Sequence, residues 1–272
     1  MNFISLQYLY MNPPRQRILC CLFISATVLL GFQAFGQATF RFGGIVRGDT
    51  TSKNIALVLT GHEFAEGGLE ILQTLETHSA KASFFLTGDF YRETGFHDLI
   101  VKIKDQGHYL GAHSDKHLLY CDWENRDSLL VSKKEFLHDL ERNYDELGRF
   151  GVRKADAPFF LPPYEWYNDS ISAWTKEAGF QLINFSTGTR SHADYTDPSM
   201  PNYTGSEKIL DSILSYESVS KTGLNGFILL MHIGVGPKRT DKFHRFLPEL
   251  LRTLEGRGYS FVSISELLRD VD

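Results

Sequence analysis

Two histidines four residues apart, His113 and His117, are the side chains in this sequence best suited to chemistry. Residues i and i+4 share one face of a helix, so on a single helical turn both imidazoles could hold one cation. Imidazole binds zinc and other first-row metals, and two histidines plus a carboxylate leave one coordination position open for water. The chain has 10 histidines, so such a pair can also arise by chance. A metal site needs a carboxylate and a proton-transfer group from elsewhere.

The segments around this pair alternate between strand and helix patterns. The near-continuous apolar run 53–60 is typical of a strand buried on both faces. Further strands are predicted at 82–87, 109–112, 157–161, 180–185, 226–233 and 259–264. Amphipathic segments lie between them, the longest at 128–150, whereas 38–51 is Gly-rich and polar without a clear period. Alternation of this kind predicts an α/β fold with parallel strands, and seven strands closing on themselves would form a barrel.

Polar residues follow several of these strands. His62 and Glu63 follow the first strand, the histidine pair follows the third, and His232 lies at the end of the sixth. In a barrel of parallel strands, the chemistry lies at the carboxyl ends of the strands. These side chains are therefore expected to lie near one another. Asp115, inside the pair, is expected to be solvated.

The first 36 residues have the pattern of a secretory signal peptide. Arg15 and Arg17 form a basic start, 18–32 is mostly apolar, and 34–36 offers small residues for cleavage. A retained membrane anchor is the alternative, but the apolar stretch is shorter than the roughly 20 residues of a span. We therefore predict an exported protein, periplasmic or extracellular, with residues 37–272 forming a single domain and no stable membrane span after cleavage.

The composition of the chain excludes some classes of function. The chain has 272 residues, 42% of them hydrophobic, which is enough for a substantial core. Its formal net charge of -5 and the lack of a basic run argue against a nucleic-acid binder. Two of the three cysteines fall within the predicted signal peptide, so Cys121 has no partner for a disulfide in the remaining chain.

Taken together, these segments resemble the polysaccharide deacetylase family, the NodB-homology domains of carbohydrate esterase family 4. The resemblance covers roughly 54–268. His113-Ser-x-x-His117 fits the family's H-(S/T)-x-x-H, and Leu230-Met-His232 fits its L-x-H. Phe160-Leu-Pro-Pro-Tyr164 is similar to its F-R-P-P-Y. The family fold is an irregular (β/α) barrel, in agreement with the seven parallel strands expected above.

The chain departs from the family at two motif positions. The family's T-F-D-D-G is Thr60-Gly-His-Glu-Phe64 here, so His62 stands where the family has its general base and Glu63 where it has a metal ligand. The Arg that pairs with the base is Leu161 here. The two changes are electrostatically consistent, because a neighbouring cation would depress the basicity of an imidazole.

The resemblance implies a metal-dependent hydrolase of carbon–nitrogen bonds other than peptide bonds, which removes acetyl groups from a carbohydrate, above all N-acetyl groups of amino-sugar glycans. It implies a divalent cation, with Zn²⁺ expected, held by Glu63, His113 and His117. His232 would be the acid that protonates the leaving amine, and His62 the base. His62 could instead be a fourth metal ligand, or a bystander while Glu66 transfers the proton.

Other residues near these motifs are candidates for substrate contacts. Tyr164 and Trp166 could stack on sugar faces or pack in the core. Asp194, in the polar loop 187–203, loosely matches the family's fourth motif and is a candidate for substrate binding. Glu165 could orient a site histidine.

Two other functions remain open from the sequence. Loss of the Asp pair and the Arg could leave a non-catalytic carbohydrate-binding relative, in which Glu63 is a loop carboxylate and His232 a buried structural histidine. The same scaffold could also act as an O-acetyl esterase on a polysaccharide such as xylan.

Overall fold

The structure is a computed structural model that describes residues 37–271. The predicted signal peptide (1–36) lies outside these residues, as does the last residue of the predicted domain 37–272. The division of the chain at residue 36 therefore stays a prediction.

Within residues 37–271, nine strands form one sheet. The strands are β1 (Thr39–Arg41), β2 (Gly44–Arg47), β3 (Asn54–Gly61), β4 (Ala82–Leu86), β5 (Tyr109–Ala112), β6 (Phe159–Phe160), β7 (Gln181–Leu182), β8 (Phe227–His232) and β9 (Ser260–Phe261). Their order is β1-β2-β8-β3-β4-β5-β6-β7, with β9 also paired to β3. All pairs formed among β3 to β9 are parallel, as the sequence predicts.

β2 brings the two ends of the parallel sheet together. It pairs antiparallel with β8 through Arg47 and Phe227. On its other side, Ile45 forms a parallel bridge with Ile183, just beyond β7, and the Ile45 carbonyl accepts from the Asn184 N–H at 2.8 Å. The structure is therefore an irregular, mostly parallel α/β barrel, and the predicted fold class is confirmed.

The hairpin of β1 and β2 was not predicted, because the segment 38–51 has neither a long apolar run nor a clear period. Its turn consists of Phe42 and Gly43, both with positive φ (45° and 73°). Two consecutive residues with positive φ are the signature of the type I′ turn, which matches the twist of the strands on either side. Glycine adopts this conformation without steric cost.

In the described part of the chain, eight α-helices lie between and after the strands. They are α1 (Gly68–Thr77), α2 (Gly88–Arg92), α3 (His97–Asp105), α4 (Lys133–Arg149), α5 (Asp169–Glu177), α6 (Ser206–Val219), α7 (Leu247–Gly256) and α8 (Ile264–Leu267). No helix in the part of the chain that the structure describes is long and apolar enough to cross a membrane.

The longest helix, α4, begins five residues later than the predicted 128–150. The Ser132 side chain accepts from the Glu135 N–H, and the Glu135 carboxylate accepts from the Ser132 N–H, forming a capping box. Before this cap, Cys121 and Leu129 form an isolated antiparallel bridge. The buried face of α4 packs toward the loop that carries the histidine pair.

Candidate active site

A cavity with a volume of about 660 Å³ opens at the carboxyl ends of the parallel strands. It collects residues that are far apart in the sequence. Seven of the eight predicted site residues line it, namely His62, Glu63, His113, His117, Tyr164, Trp166 and His232. The eighth, Asp194, is buried behind His232. The site is therefore formed where parallel β-barrels place their chemistry.

Three imidazoles cluster in this cavity. The rings of His62 and His117 are stacked, with centroids 4.7 Å apart and planes 10° from parallel. The His113 and His117 rings meet edge to face, with centroids 5.1 Å apart. The pair does not lie on a helical turn, in contrast to the expectation from its spacing. It lies in a loop after β5 in which Ser114 and His117 have positive φ (73° and 54°).

Polar side chains on the buried face of α4 position this loop. Asn143 Oδ1 accepts from the His113 N–H at 2.7 Å, and its Nδ2 donates to the Leu86 carbonyl at 3.2 Å. Asp139 accepts from the N–H groups of Asp115 (3.2 Å) and Lys116 (3.1 Å). The His113 N–H also donates to the Leu86 carbonyl of β4 at 3.3 Å, whereas Asp139 satisfies two backbone donors that the irregular loop leaves without partners in the sheet.

Asp115 is buried, so the expectation that it is solvated was wrong. Its carboxylate pairs with Arg92 at 2.6 Å and with Arg142 at 3.4 Å. A buried carboxylate needs such partners, because leaving it unpaired would cost several kcal/mol. Asp115 also packs against Gly88, where a Cβ atom would lie 1.9 Å from Oδ1. The loop is thereby held from both α2 and α4.

The histidine pair is neutral. Burial, above all, lowers the pKa of His113 to about 3, and the nearby His232 and His62 add to this effect against the hydrogen bond to Leu161. Burial and the surrounding histidines lower the pKa of His117 to about 2. His113 Nδ1 lies 2.8 Å from the Leu161 carbonyl, so this nitrogen is the donor and Nε2 carries the lone pair.

The histidine pair fits a zinc ion better than the proposed carboxylate does. A neutral imidazole whose other nitrogen donates to a carbonyl is the form that ligates metals. Glu63, by contrast, is 68% exposed and its carboxylate approaches His62 Nε2 only to 4.0 Å. Among residues 37–271, no three His, Cys, Asp or Glu side chains are arranged to hold a metal ion. The two predicted histidine ligands lie next to each other, whereas the predicted set of three residues is not assembled.

The His62 imidazole is half-buried, with a side chain 30% exposed. Its Nδ1 lies 3.1 Å from the Thr87 hydroxyl oxygen. Thr87 caps α2 by accepting from the Phe90 N–H at 3.1 Å, which fixes its position. If Nδ1 donates to Thr87, Nε2 is left as the acceptor that a base requires.

His232 is held by Asp194. His232 Nδ1 lies 2.6 Å from Asp194 Oδ1, and the His232 N–H donates to Oδ2 at 2.9 Å. Burial acts to lower the pKa of His232, but the charge and hydrogen bond of Asp194, with a contribution from Glu165, outweigh it and raise the pKa. A raised pKa shifts this imidazole toward the protonated form, the form in which a general acid acts.

Tyr164 and Glu165 line the cavity in an unusual backbone conformation. Both have positive φ, 58° and 53°, although neither is a glycine. Residues held in this region cost roughly 1–3 kcal/mol and occur often at functional sites. Burial raises the pKa of Glu165 to about 7, with Asp194 adding to burial and His232 opposing it.

Aromatic rings form a row along the cavity. Tyr164 contacts His117 with ring centroids 4.4 Å apart. Trp123 contacts Tyr164 at 5.6 Å and Trp166 at 5.5 Å. Tyr164 and Trp123 are 44% and 54% exposed, so their rings are available to a ligand. Such rings can stack on the apolar faces of sugars.

Several residues of the site were missed at the level of sequence. Trp123 lies in an irregular stretch, part of which the sequence predicts as helix, and the sequence predicts Thr87 as the last residue of a strand. Asn143 and Asp139 were assigned to an amphipathic helix without a role. A polar residue within the buried stripe of such a helix was the available signal, because burial of an amide or carboxylate requires partners.

Comparison with known proteins supports the interpretation of these motifs. The family described as polysaccharide deacetylase matches residues 54–183, from β3 to just beyond β7. Over these residues the chain is similar to the polysaccharide deacetylase family. A peptidoglycan-N-acetylglucosamine deacetylase of Bacillus cereus is 28% identical over 201 residues, which are 74% of this chain and 81% of that protein. The resemblance stated from the motifs is thereby confirmed.

Solved structures of carbohydrate esterase family 4 share the fold. The Bacillus subtilis PdaA structure superposes with a TM-score of 0.65 at 22% identity, covering 84% of this chain and 86% of that one. A structure described as a pseudoenzyme of the family, from Bacillus anthracis, gives the same TM-score at 20% identity, covering 85% and 71%. At this identity the likeness concerns the fold alone, so activity must be argued from the site.

Proposed function

We propose that this protein is a metal-dependent enzyme that hydrolyses N-acetyl groups of amino-sugar glycans. The observation that carries the proposal is that His232, held by Asp194 at 2.6 Å, lies in the same cavity as His62, His113 and His117. Hydrolysis of an amide needs an acid for the leaving amine and a group that activates water. The name of the Bacillus cereus relative supports N-acetylglucosamine as a substrate class.

In this proposal His113 and His117 hold the cation, with Glu63 as the third ligand. A bound Zn²⁺ supplies polarisation of the acetyl carbonyl and acidification of water. His62 Nε2 takes the proton from the attacking water, while Nδ1 donates to Thr87. His232 Nε2 delivers a proton to the leaving nitrogen, since its Nδ1 is engaged by Asp194. Asp194 is thus a positioning residue and makes no direct contact with the substrate.

Substrate binding is proposed for the aromatic side of the cavity. Tyr164 lies against His117 and is exposed enough to stack on the acetylated sugar. Trp166 lies further along the same row and would contact the next sugar. We also propose that the protein is exported, because glycans of this kind lie outside the cytoplasm and the sequence begins with a signal-peptide pattern.

Acetate release by the purified protein, supplied with Zn²⁺, tests the proposal. We expect release from chitotetraose, a smaller rate on acetylated xylan, and loss of activity by about 100-fold or more in His232→Ala. His138→Ala, a change of an exposed histidine on α4, serves as the control and should retain activity. Absence of acetate release from every N-acetylated glycan would overturn the proposal. A preference for acetylated xylan would instead identify an O-acetyl esterase.

One observation favours a second candidate, a non-catalytic glycan-binding protein. Tyr164, Trp123 and Trp166 contact one another in a continuous aromatic row, whereas the three proposed metal ligands are not assembled. Binding of chitotetraose without acetate release, unchanged in His232→Ala, would identify this function.

A further inference from the structure

Two arginines line the same cavity and have no acidic partner in the structure. Arg41 ends β1, and Arg126 lies in the irregular stretch before α4. Within residues 37–271, neither has a carboxylate oxygen within the 4.0 Å of a salt bridge. The protein carries a formal net charge of -5, so a pair of uncompensated cations within one cavity is unusual for this chain.

The Arg126 guanidinium is held in a fixed position. Its central carbon lies 3.3 Å from the centroid of Trp166 and 4.5 Å from that of Phe42. One of its terminal nitrogens donates to the Tyr167 carbonyl at 2.6 Å. A guanidinium has five N–H donors in a rigid fork, so one such bond leaves most of them for a ligand. The side chain is half-buried and already ordered in the folded protein. Binding a ligand therefore costs little additional side-chain entropy.

Tyr167 joins the two arginines. Its backbone carbonyl accepts from Arg126, and its hydroxyl donates to the Arg41 carbonyl at 2.8 Å. Both arginines line the cavity, so this side of it carries two positive charges, which favour a bound anion.

A continuous row of rings connects these arginines to the histidine cluster. Arg126 lies over Trp166, which contacts Trp123, which contacts Tyr164, which contacts His117. A glycan stacked along this row has one sugar at the histidines and a neighbouring sugar near the guanidinium. The recognised group would therefore lie on a sugar next to the one that is deacetylated.

We propose that Arg41 and Arg126 form a carboxylate-binding subsite that selects glycans with an acidic group beside the acetylated sugar. This inference rests on the proposed function, because it assigns the substrate class to the same cavity. The carboxylate accepts two parallel N–H bonds from the Arg126 fork, the strongest arrangement for this pair of groups. A sugar carboxylate occurs either on the ring, as in a uronic acid, or on a lactyl ether of a hexosamine.

Calorimetric binding to three tetrasaccharides tests the subsite. Chitotetraose is neutral, a peptide-free tetrasaccharide of N-acetylglucosamine and N-acetylmuramic acid carries lactyl carboxylates, and a heparosan tetrasaccharide carries glucuronates. We expect at least one acidic probe to bind about tenfold more tightly than chitotetraose, corresponding to about 1.4 kcal/mol. The probe with the larger preference identifies the source of the carboxylate. The preference should shrink in 0.5 M salt, because part of it is screened.

Variants of the arginine complete the test. Arg126→Met keeps the apolar stem and should abolish most of the preference for the acidic probe. Arg126→Lys keeps the charge without the fork and should lose part of it. Arg252→Met, an exposed position on α7 outside the cavity, changes the net charge equally and should retain the preference. Circular dichroism establishes that each variant is folded before its binding is compared.

Failure of the subsite and failure of the proposed function give different results. Equal binding of neutral and acidic probes, with acetate released from both, overturns the subsite and leaves the deacetylase proposal intact. Binding of an acidic probe that depends on Arg126, without acetate release from any probe, supports the subsite and overturns the deacetylase proposal.

Discussion

Asp194 contacts His232 through both of its carboxylate oxygens, one on the imidazole Nδ1 at 2.6 Å and one on the backbone N–H at 2.9 Å. The two-point contact fixes both the ring and the peptide that carries it. Asp194 is 2% exposed, so this interaction is sheltered from water and from salt. The orientation of the proposed acid is therefore decided by a residue that does not line the cavity.

Replacing Asp194 tests this arrangement through the pH dependence of activity. In Asp194→Asn the counter-charge is lost, so burial lowers the pKa of His232. Because a general acid acts in its protonated form, the alkaline limb of the kcat profile should move to lower pH, with a rate loss of about 10- to 100-fold. Asp211→Asn, on the exposed side of α6, is the control. An unmoved alkaline limb would contradict the assignment of His232 as the acid.

A contrast between two glycines tests how tightly the histidine loop is packed. In Gly88→Ala the new Cβ would meet Asp115 Oδ1 at 1.9 Å, so we expect a loss of about 1–3 kcal/mol in the free energy of unfolding. Gly148 lies inside α4 with nothing within 4 Å of an added Cβ, and Gly148→Ala should stabilise by about 0.5–1 kcal/mol. Urea denaturation measures both. Equal effects of the two changes would contradict this packing.

Asn143 provides a test of the support from α4. Asn143→Ala removes the shorter of the two hydrogen bonds of the His113 N–H, which keeps only the Leu86 carbonyl at 3.3 Å, and it removes the Asn143 donor to that carbonyl, at a cost of about 1–3 kcal/mol. The same change should weaken zinc binding, since the backbone of a proposed ligand is held less firmly. Denaturation and zinc titration measure the two effects, with the exposed Asn202→Ala as the matched control. If the variant loses stability but keeps its zinc affinity, Asn143 has a structural role only.

The third ligand of the proposed cation can be decided by zinc affinity alone. If Glu63 completes the site, Glu63→Gln should lower the affinity by about 10- to 100-fold while His62→Asn changes it little. The opposite ranking would make His62 the ligand and remove it as the base. His113→Ala should abolish stoichiometric binding in either case. Equilibrium dialysis with metal analysis gives these values without any assay of activity.

His108 makes stability depend on pH at a position outside the active site. Its Nδ1 accepts from the Ala82 N–H at 3.3 Å, and burial, followed by the charge of Lys81, lowers its pKa to about 4. At pH values between about 4 and the pKa of about 6.5 in the unfolded chain, His108 is protonated in the unfolded chain but neutral in the folded protein. The free energy of unfolding therefore decreases as the pH falls through this interval. The contribution is on the order of 2 kcal/mol. His108→Asn should flatten the stability profile over this interval, and an unchanged slope would contradict the neutral form.

The sequence was sufficient to predict an element that is long or a motif whose chemistry is specific. β3 and β8 follow from apolar runs buried on both faces, and the histidine pair follows from its spacing and the strand before it. β6 is only two residues long because Pro158 and Pro162 lie on either side of it and have no N–H to donate. The apolar pattern of 157–161 does not show this limit.

Other features have no signature in local sequence. The positive φ of Tyr164 and Glu165 occurs in residues that do not favour it, so it is imposed by the surrounding packing. Asn143 looks like one more polar residue of an amphipathic helix until the loop is placed beside it. The exposure of Glu63 could not be foreseen either, because a motif position predicts a ligand but not the direction of its side chain.

The closing strand β2 also determines when the cavity can form during folding. Arg47 at its end donates to the carbonyl of Asn225, 178 residues further along the chain, at 2.9 Å. Bringing together segments so distant costs loop entropy and makes folding slow. During synthesis, β2 therefore cannot pair with β8 until β8 has been made. A chain that terminates before β8 would leave the barrel open at this position.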